Sequence, residues 1–297
     1  MNTVGLFSQN TFSDNLERLH ALSRMPKAEW LDMLGLSWQK YYQYKIGISE
    51  FPSSSLRQLS NHFQVAEENI VEGYIDFQKL EMLSEQQDLH ERFLVGAHGR
   101  RRTTITSIEY LEKAFGWRLR YDVMNHFQVS TSALQDPFAT ISIRFITEMA
   151  EYLKKRQFKQ ADFYRMGMYS AEGNRQSLIG KIFSEMENLE QAYNMFLNKT
   201  IFIFENNCTY NYQQITEKTG LVTVHSTPDV AAELKVKHLG SESICELKAG
   251  MFASLPSYMG LNNAKVTHFT CEHRGDDACR FHVDQTPCTP RTTTLSD

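Results

Sequence analysis

The sequence lacks any apolar run long enough to cross a bilayer as a helix. Its most apolar short stretch, Ile201-Phe202-Ile203-Phe204, falls far below the roughly twenty residues such a helix needs, so no membrane partner is expected. The first thirty residues, from Met1 through Phe12 to Trp30, carry no basic stretch followed by an apolar run of signal length, and a cytoplasmic location follows as an expectation. Positive charge is not in excess either: 31 Lys and Arg against 35 Asp and Glu give a net charge of -4. That balance excludes a basic coat for indiscriminate nucleic-acid binding and confines any DNA contact to a local patch. Cysteine is scarce and odd in number, five in all, and without an export signal it suits reduced thiols or metal ligands better than disulfides. There is no Gly-rich phosphate loop, no HExxH pair and no GxSxG elbow, and the histidines show no other paired spacing suited to a catalytic metal, so catalysis is not expected. No internal repeat is apparent.

What is present suffices for two cores: 297 residues, 41% of them hydrophobic, exceed one average domain. Residues 1–80 read as short helices without a period-2 strand. Ser13-Asp14 caps a helix carrying Leu16, Leu19 and Leu22; Pro26 opens a second, ended by Gly35; Ser37 caps a third through Lys45; Pro52-Ser53-Ser54 opens a fourth with Leu56, Leu59 and Phe63; and a fifth carries Ile70, Tyr74 and Phe77. Residues 81–103, polar and including Arg100-Arg101-Arg102, read as a connector whose part from Leu83 to Leu94 can be helical and pair protomers. Helical periodicity returns at Thr104, in Ile143, Ile146, Ala150 and Leu153 and again from Leu178 through Leu189 to Tyr193. After Lys199, Ile201 to Phe204, Leu221 to Val224, Val266 to Cys271 and Arg280 to Val283 read as strands. The expected fold is therefore α+β: an all-helical amino-terminal domain, then an α+β domain over 104–284 with an antiparallel sheet, then a disordered tail over 285–297.

The third helix, Ser37-Trp38-Gln39-Lys40-Tyr41-Tyr42-Gln43-Tyr44-Lys45, has the pattern a groove-reading helix needs, with polar tips outward and apolar anchors behind. Tyr41 and Tyr44 at i, i+3 spacing face the bundle, leaving Trp38, Gln39, Lys40 and Gln43 outward. Gln suits a bidentate contact to adenine, and Lys reaches guanine or phosphate. The run Met25 to Leu31 through Leu34-Gly35-Leu36-Ser37, with Gly47, Pro52, Leu56, Leu59 and Val65, resembles the phage-repressor (Cro/repressor) type of helix-turn-helix over Phe12 to Phe77. It departs from it at Lys45, where that family usually has Glu, and at Pro26, where it usually has Thr. The resemblance implies double-stranded DNA as partner, with Trp38, Gln39, Lys40, Gln43 and Lys45 as contacts. The local charge is modest, so a homodimer doubling the phosphate contacts is the natural inference. The plainer alternative is a helical bundle that binds protein.

Cys271 and Cys279 bracket the turn-rich Glu272-His273-Arg274-Gly275-Asp276-Asp277-Ala278, so a hairpin brings their thiols together. His268 lies three residues before Cys271 and Cys245 twenty-six before it, opening an amphipathic stretch from Glu246 to Met259. Three thiolates and an imidazole make a tetrahedral zinc site without an open position, a structural arrangement; buried reduced thiols with a satisfied histidine are the alternative. The segment Cys245 to Val283 resembles the vinyl-reductase type of small-molecule-binding domain found in the sensory regions of phenol- and xylene-responsive transcription activators. Cys245, His268, Cys271 and Cys279 fall on the ligand positions, with His268 where the family usually has Glu and His273 or His282 as substitutes. Cys208 and Cys288 read as a core thiol and an exposed tail thiol. The resemblance implies a sensor for a small hydrophobic or aromatic ligand, in a pocket between helices and sheet that aromatics such as Phe145, Phe163, Tyr169, Phe183, Phe252 and Tyr258 can line. The expected protein is a ligand-responsive transcriptional regulator, not an enzyme. The alternatives are a signalling adaptor and a tetrapyrrole-handling protein.

Overall fold

Apolar residues recurring at helical spacing, separated by Gly and Pro, build the first part of the chain. The computed structural model describes residues 4–84, 89–134 and 136–291. Contacts divide the chain into two units, Met1–Asp88 with Ser130–Ser132, and Leu89–Val129 with Ala133–Asp297. The first unit contains α1 (Val4–Ser23), α2 (Lys27–Leu34), α3 (Trp38–Lys45), α4 (Ser53–Phe63), α5 (Glu67–Glu72) and α6 (Phe77–Ser84). Leu16, Leu19, Trp30, Tyr41, Leu59 and Ile70 form its core, each large side chain stabilising it by about 1.5–3 kcal/mol relative to exposure.

Gly35 ends α2 in the left-handed conformation at φ 65°, and Ser37 caps α3, its hydroxyl accepting from the Lys40 amide at 3.3 Å. The two caps set a tight turn with Leu36 buried in it. Two expectations need correction. Ser13-Asp14 lies inside α1, which continues seamlessly past it, and caps nothing. The fifth helix is two, because Gly73 takes φ 87° after Glu72 and α6 starts afresh at Phe77.

The second unit opens with a 3-10 turn, Glu91–Phe93, and a two-residue ladder between β1 (Gly99–Arg100) and β2 (Thr140–Ile141). Around these come α7 (Arg101–Phe115), α8 (Trp117–Phe127), α9 (Ile143–Lys155), α10 (Gln160–Gly173), α11 (Leu178–Ser184) and α12 (Leu189–Asn198). The carboxy-terminal half adds β3 (Cys208–Thr216), β4 (Thr219–Ser226), α13 (Pro228–Glu233), α14 (Glu242–Ser254, continued as a 3-10 turn to Met259), β5 (Lys265–Thr270) and β6 (Cys279–Asp284). The strands form an antiparallel sheet in the order β3-β4-β6-β5. The protein is thus α+β, with a helical amino-terminal unit and an antiparallel four-stranded sheet in the second, as its sequence implies.

Several segments differ from their sequence reading. Ile201 to Phe204 is no strand; Thr200–Ile203 is a 3-10 turn. Leu178 to Tyr193 is two helices, interrupted between Ser184 and Leu189. The stretch read as a connector carries Leu89 and Phe93 into the second unit's core, while Glu85 to Asp88 lie outside the described residues. Arg100-Arg101-Arg102 belongs to no free connector: their guanidinium groups donate to Phe138 O at 3.0 Å, to the Ala133 carbonyl, and to Asn174 Oδ1 at 2.5 Å and the Gly173 carbonyl. The tail is ordered to Arg291, with Gln285 buried, Cys288 packed against the core and Leu261 bridged to Pro290; residues 292–297 lie outside the described ones.

Buried on nearly every side, α14 is the axis of this unit and not the amphipathic helix its sequence suggests. Cys245, Ala249, Phe252 and Ala253 join the sheet-side core with Val222, Val224 and Phe281. Ile244 and Leu247 join the helical core with Phe145, Phe163 and Met166. It crosses α10 at backbone distance, because glycines stand at the contact: a Cβ on Gly167 would fall on the Leu247 carbonyl, and one on Gly250 on the Tyr164 carbonyl.

Candidate functional site

The β5-β6 hairpin brings Cys271 and Cys279 together. Its loop is a 3-10 turn, Glu272–Arg274, closed by Gly275 at φ 95°, and the Asp276 carboxylate accepts from the Cys271 amide at 2.7 Å. His268 and Cys271 are three apart, so a regular strand would point them to opposite faces. The ladder shifts register between His268 and Thr270, opposite Phe281 and Arg280. That bulge advances the side-chain phase by one residue, and Phe269 stands out to solvent at 50% exposure while His268 and Cys271 both turn inward. Cys245, in the first turns of α14, completes the group.

One ligand atom from each of Cys245, His268, Cys271 and Cys279 lies within 4.8 Å of the others. The sulfur separations are 3.5 Å for Cys245–Cys279 and 3.8 Å for both Cys271–Cys245 and Cys271–Cys279. A tetrahedral ion with metal–sulfur bonds of about 2.3 Å holds its sulfurs about 3.8 Å apart, so the three thiols already stand near the edges of such a polyhedron. Nε2 of His268 is buried without a hydrogen-bond partner, which leaves it free to ligate. Nδ1 faces Glu246 Oε1 at 3.1 Å, the carboxylate contact that fixes the tautomer of a metal-binding histidine, and the ring stacks on Phe281 at 4.7 Å.

The three thiols act on one another electrostatically, with Cys245 held protonated and the other two favoured as thiolates. A hydrogen bond from the Cys245 thiol, partly opposed by burial, brings Cys279 down to about 3, with further help from His268 and the Glu272 amide. Cys271 is lowered by its own hydrogen bond from Cys245, and Cys245, as donor to both, is raised. Burial alone would lower His268, but the sulfurs beside it and the Glu246 carboxylate raise it to about 9. The residues present fit a closed metal site of three sulfurs and one nitrogen, the structural type. His273 and His282 are not in the group; His273 pairs with the His238 ring at 6.0 Å.

One turn along α14 from Cys245 a second polar group is buried. Lys248 is 6% exposed, with its ammonium 3.0 Å from Cys208 Sγ, 3.2 Å from Glu205 Oε1 and over the Tyr210 ring. Burial pushes the Cys208 thiol up to about 11, against the pull of Lys248, so the counter-charge to Lys248 at neutral pH is Glu205. Lys248 and Glu205 border a cavity of about 50 Å³, and Glu205 also borders a second of about 60 Å³. Neither Lys248 nor Glu205 stands out in the sequence; the available signal is a lysine in a helix whose every other turn is apolar. Of the aromatics expected around a pocket, Phe145, Phe163, Phe183 and Phe252 are closed core, Tyr258 borders the second cavity, and Tyr169 lines a wider one of about 640 Å³ beside Tyr110 and Arg165.

No protein-family model matches the sequence, and no curated protein matches it. Solved structures of H-NOX proteins are similar in chain path. One from S. oneidensis in the Fe(II)NO ligation state is 9% identical at a TM-score of 0.47, over 62% of this chain and 98% of that one. One from K. algicida, Fe(II) and unliganded, is 7% identical at 0.48, over 65% and 100%. Likeness at this level carries nothing about ligand or activity. A tetrapyrrole does not fit the two cavities as they stand: a macrocycle far exceeds their volume, and no histidine lines either.

In the first unit, Trp38, Gln39 and Lys40 are exposed and Gln43 is half-buried. Lys45, counted among the DNA contacts, is instead ion-paired with Glu17 of α1. Tyr41 is buried behind the helix, with the Lys27 ammonium 3.9 Å from its ring. The outer face also carries Tyr42 at 53% and Ile46 at 48% exposure, in line with Trp38 at 60%. At i, i+4, i+8 these three form one stripe, which the attention to polar tips overlooked.

Proposed function

We propose that this protein is a ligand-responsive transcriptional regulator in which the first unit binds double-stranded DNA through α3 and the second senses a small hydrophobic or aromatic molecule. The observation that carries the sensor half is the Cys245, His268, Cys271 and Cys279 group, which joins α14 to the β5-β6 hairpin with ligand atoms at tetrahedral spacing. Zinc would be held by these four residues and would supply a cross-link, not a reaction. Helix α14 then has one face tied to the sheet and the other on a cavity, so a ligand entering that cavity acts on a helix anchored at its amino-terminal end. Binding energy that differs between two arrangements of the dimer would set DNA affinity. No enzymatic role is proposed.

For the DNA half the support is the capped turn between α2 and α3, with Gln39 and Lys40 outward and Tyr41 behind. Selection of duplexes from a random pool tests it. The purified protein is expected to enrich a defined sequence, with affinity falling steeply as salt rises, and Gln39→Ala with Lys40→Ala is expected to cost about 1–3 kcal/mol per lost base contact and relax the preference. Equal affinity for every duplex at low salt would refute it. The adaptor reading has its own support in the Trp38-Tyr42-Ile46 stripe, an apolar face suited to protein; it is favoured if Tyr42→Lys abolishes capture of a protein partner while duplex binding is absent throughout.

A further inference from the structure

Two small cavities of the second unit share a wall. Thr103, Phe204, Glu205 and Met251 line both, and Met251, unbranched with three rotatable bonds, is the kind of partition that moves at little cost. Neither cavity alone admits a six-membered ring, given that about 150 Å³ holds benzene; joined, they still fall short of that size and reach it only when Met251 swings aside. The first is apolar along Ile146, Ile244 and Leu247 and polar at one end, where Lys248 and Glu205 meet Asn207. Asn207 is 3% exposed, and its side-chain oxygen is buried without a hydrogen-bond partner, a cost a folded chain rarely bears without a use.

We propose that this two-lobed cavity is the ligand site of the second unit and that it takes a neutral, hydroxyl-bearing molecule with a compact apolar body. The inference deepens the sensor reading above and rests on it. Lys248 and Glu205 already balance each other's charge, and Arg100 and Arg102, which also line the lobes, spend their guanidinium groups on the Phe138 carbonyl and on Asn174 and the Gly173 carbonyl. A carboxylate ligand would set a second anion beside Glu205, and an amine a second cation beside Lys248, in a place too dry to bear the excess. A hydroxyl fits both partners, because it accepts from the Lys248 ammonium and donates to Glu205 or Asn207 with one atom. The apolar body then lies along Ile146 and Ile244, displacing Met251 toward the second lobe. No covalent step follows: Lys248 is held as the ammonium by Glu205 and is no nucleophile.

The probes are cyclohexanol, cyclohexane, cyclohexylamine and cyclohexanecarboxylate, titrated by calorimetry or NMR into the full-length protein. Cyclohexanol is expected to bind at least tenfold more tightly than the other three. The double variant Lys248→Met with Glu205→Gln keeps the site neutral, and in it the advantage of the alcohol over cyclohexane is expected to vanish while cyclohexane still binds. Ile146→Phe, which fills the first lobe, is expected to abolish binding of both. Tighter binding of the carboxylate or the amine, an unchanged alcohol preference in the double variant, or no binding of any probe to the wild type would overturn the proposal. If cyclohexanol binds as expected and leaves DNA affinity unmoved, the site stands and the regulatory reading falls. If DNA affinity responds to other compounds that none of the probes displaces, the reverse holds.

Discussion

Cys279 carries more of the proposed centre than any other single residue: it touches both other thiols, takes the Glu272 amide, and opens β6. Changing it to Ser removes a ligand while keeping the volume. The expected outcome is loss of bound zinc by elemental analysis and a lowered unfolding midpoint, with a stability cost of several kcal/mol out of the roughly 10 kcal/mol a structural zinc contributes. A second prediction concerns His20, which is half-buried, donates to the Met25 carbonyl at 3.1 Å and lies 5.0 Å from Trp30. Burial, with the nearby Lys27 charge, lowers its pKa below the ordinary 6.5. A group depressed in this way favours its neutral form in the folded state, so its contribution is complete above pH 6.5 and is lost as the pH falls through the depressed value. Denaturant melts followed by tryptophan fluorescence are expected to show stability falling as the pH drops below about 6.5, and His20→Gln to flatten the slope.

Among elements, the crossing of α10 and α14 has the least tolerance. Gly250→Ala drives a methyl into the Tyr164 carbonyl, which is backbone and cannot swing aside. A loss of at least about 2 kcal/mol is expected from urea midpoints, whereas Gly260→Ala, at φ 75° with open space around its Cβ position, is expected to cost only about 1 kcal/mol. What could be read from the chain divides along the same line. Local punctuation was legible: Gly35, Ser37, Pro52 and Gly275 mark turns and caps because each fixes its own backbone. The ligand spacing of Cys271 and Cys279 was legible because a short loop between strands leaves few arrangements. The bulge at Phe269, which decides that His268 faces inward, was not, since a bulge leaves no pattern of its own in composition. Nor was the burial of Lys248 or the tying-down of Arg100 to Arg102, since a charged residue is held in place only where distant carbonyls, carboxylates and rings receive it. The continuous α1 hid Ser13-Asp14, because a capping sequence inside a longer helix simply continues it.

At the scale of the whole molecule, the two units have separate cores, Leu16, Trp30 and Leu59 in the first and Phe252, Phe281 and Leu111 in the second. Metal removal therefore acts on one of them. A strong chelator is expected to lower amide-exchange protection in β5, β6 and α14 while leaving α2 to α4 protected; uniform loss throughout the chain would show that the metal supports both. The centre itself is best tested by metal content together with cobalt substitution of the full-length protein. About one zinc per chain is expected, replaced by cobalt with the charge-transfer and ligand-field absorption of a tetrahedral site of three thiolates and one imidazole. A chain that purifies folded and metal-free, or that keeps its metal after Cys271→Ser and Cys279→Ser together, would contradict the account.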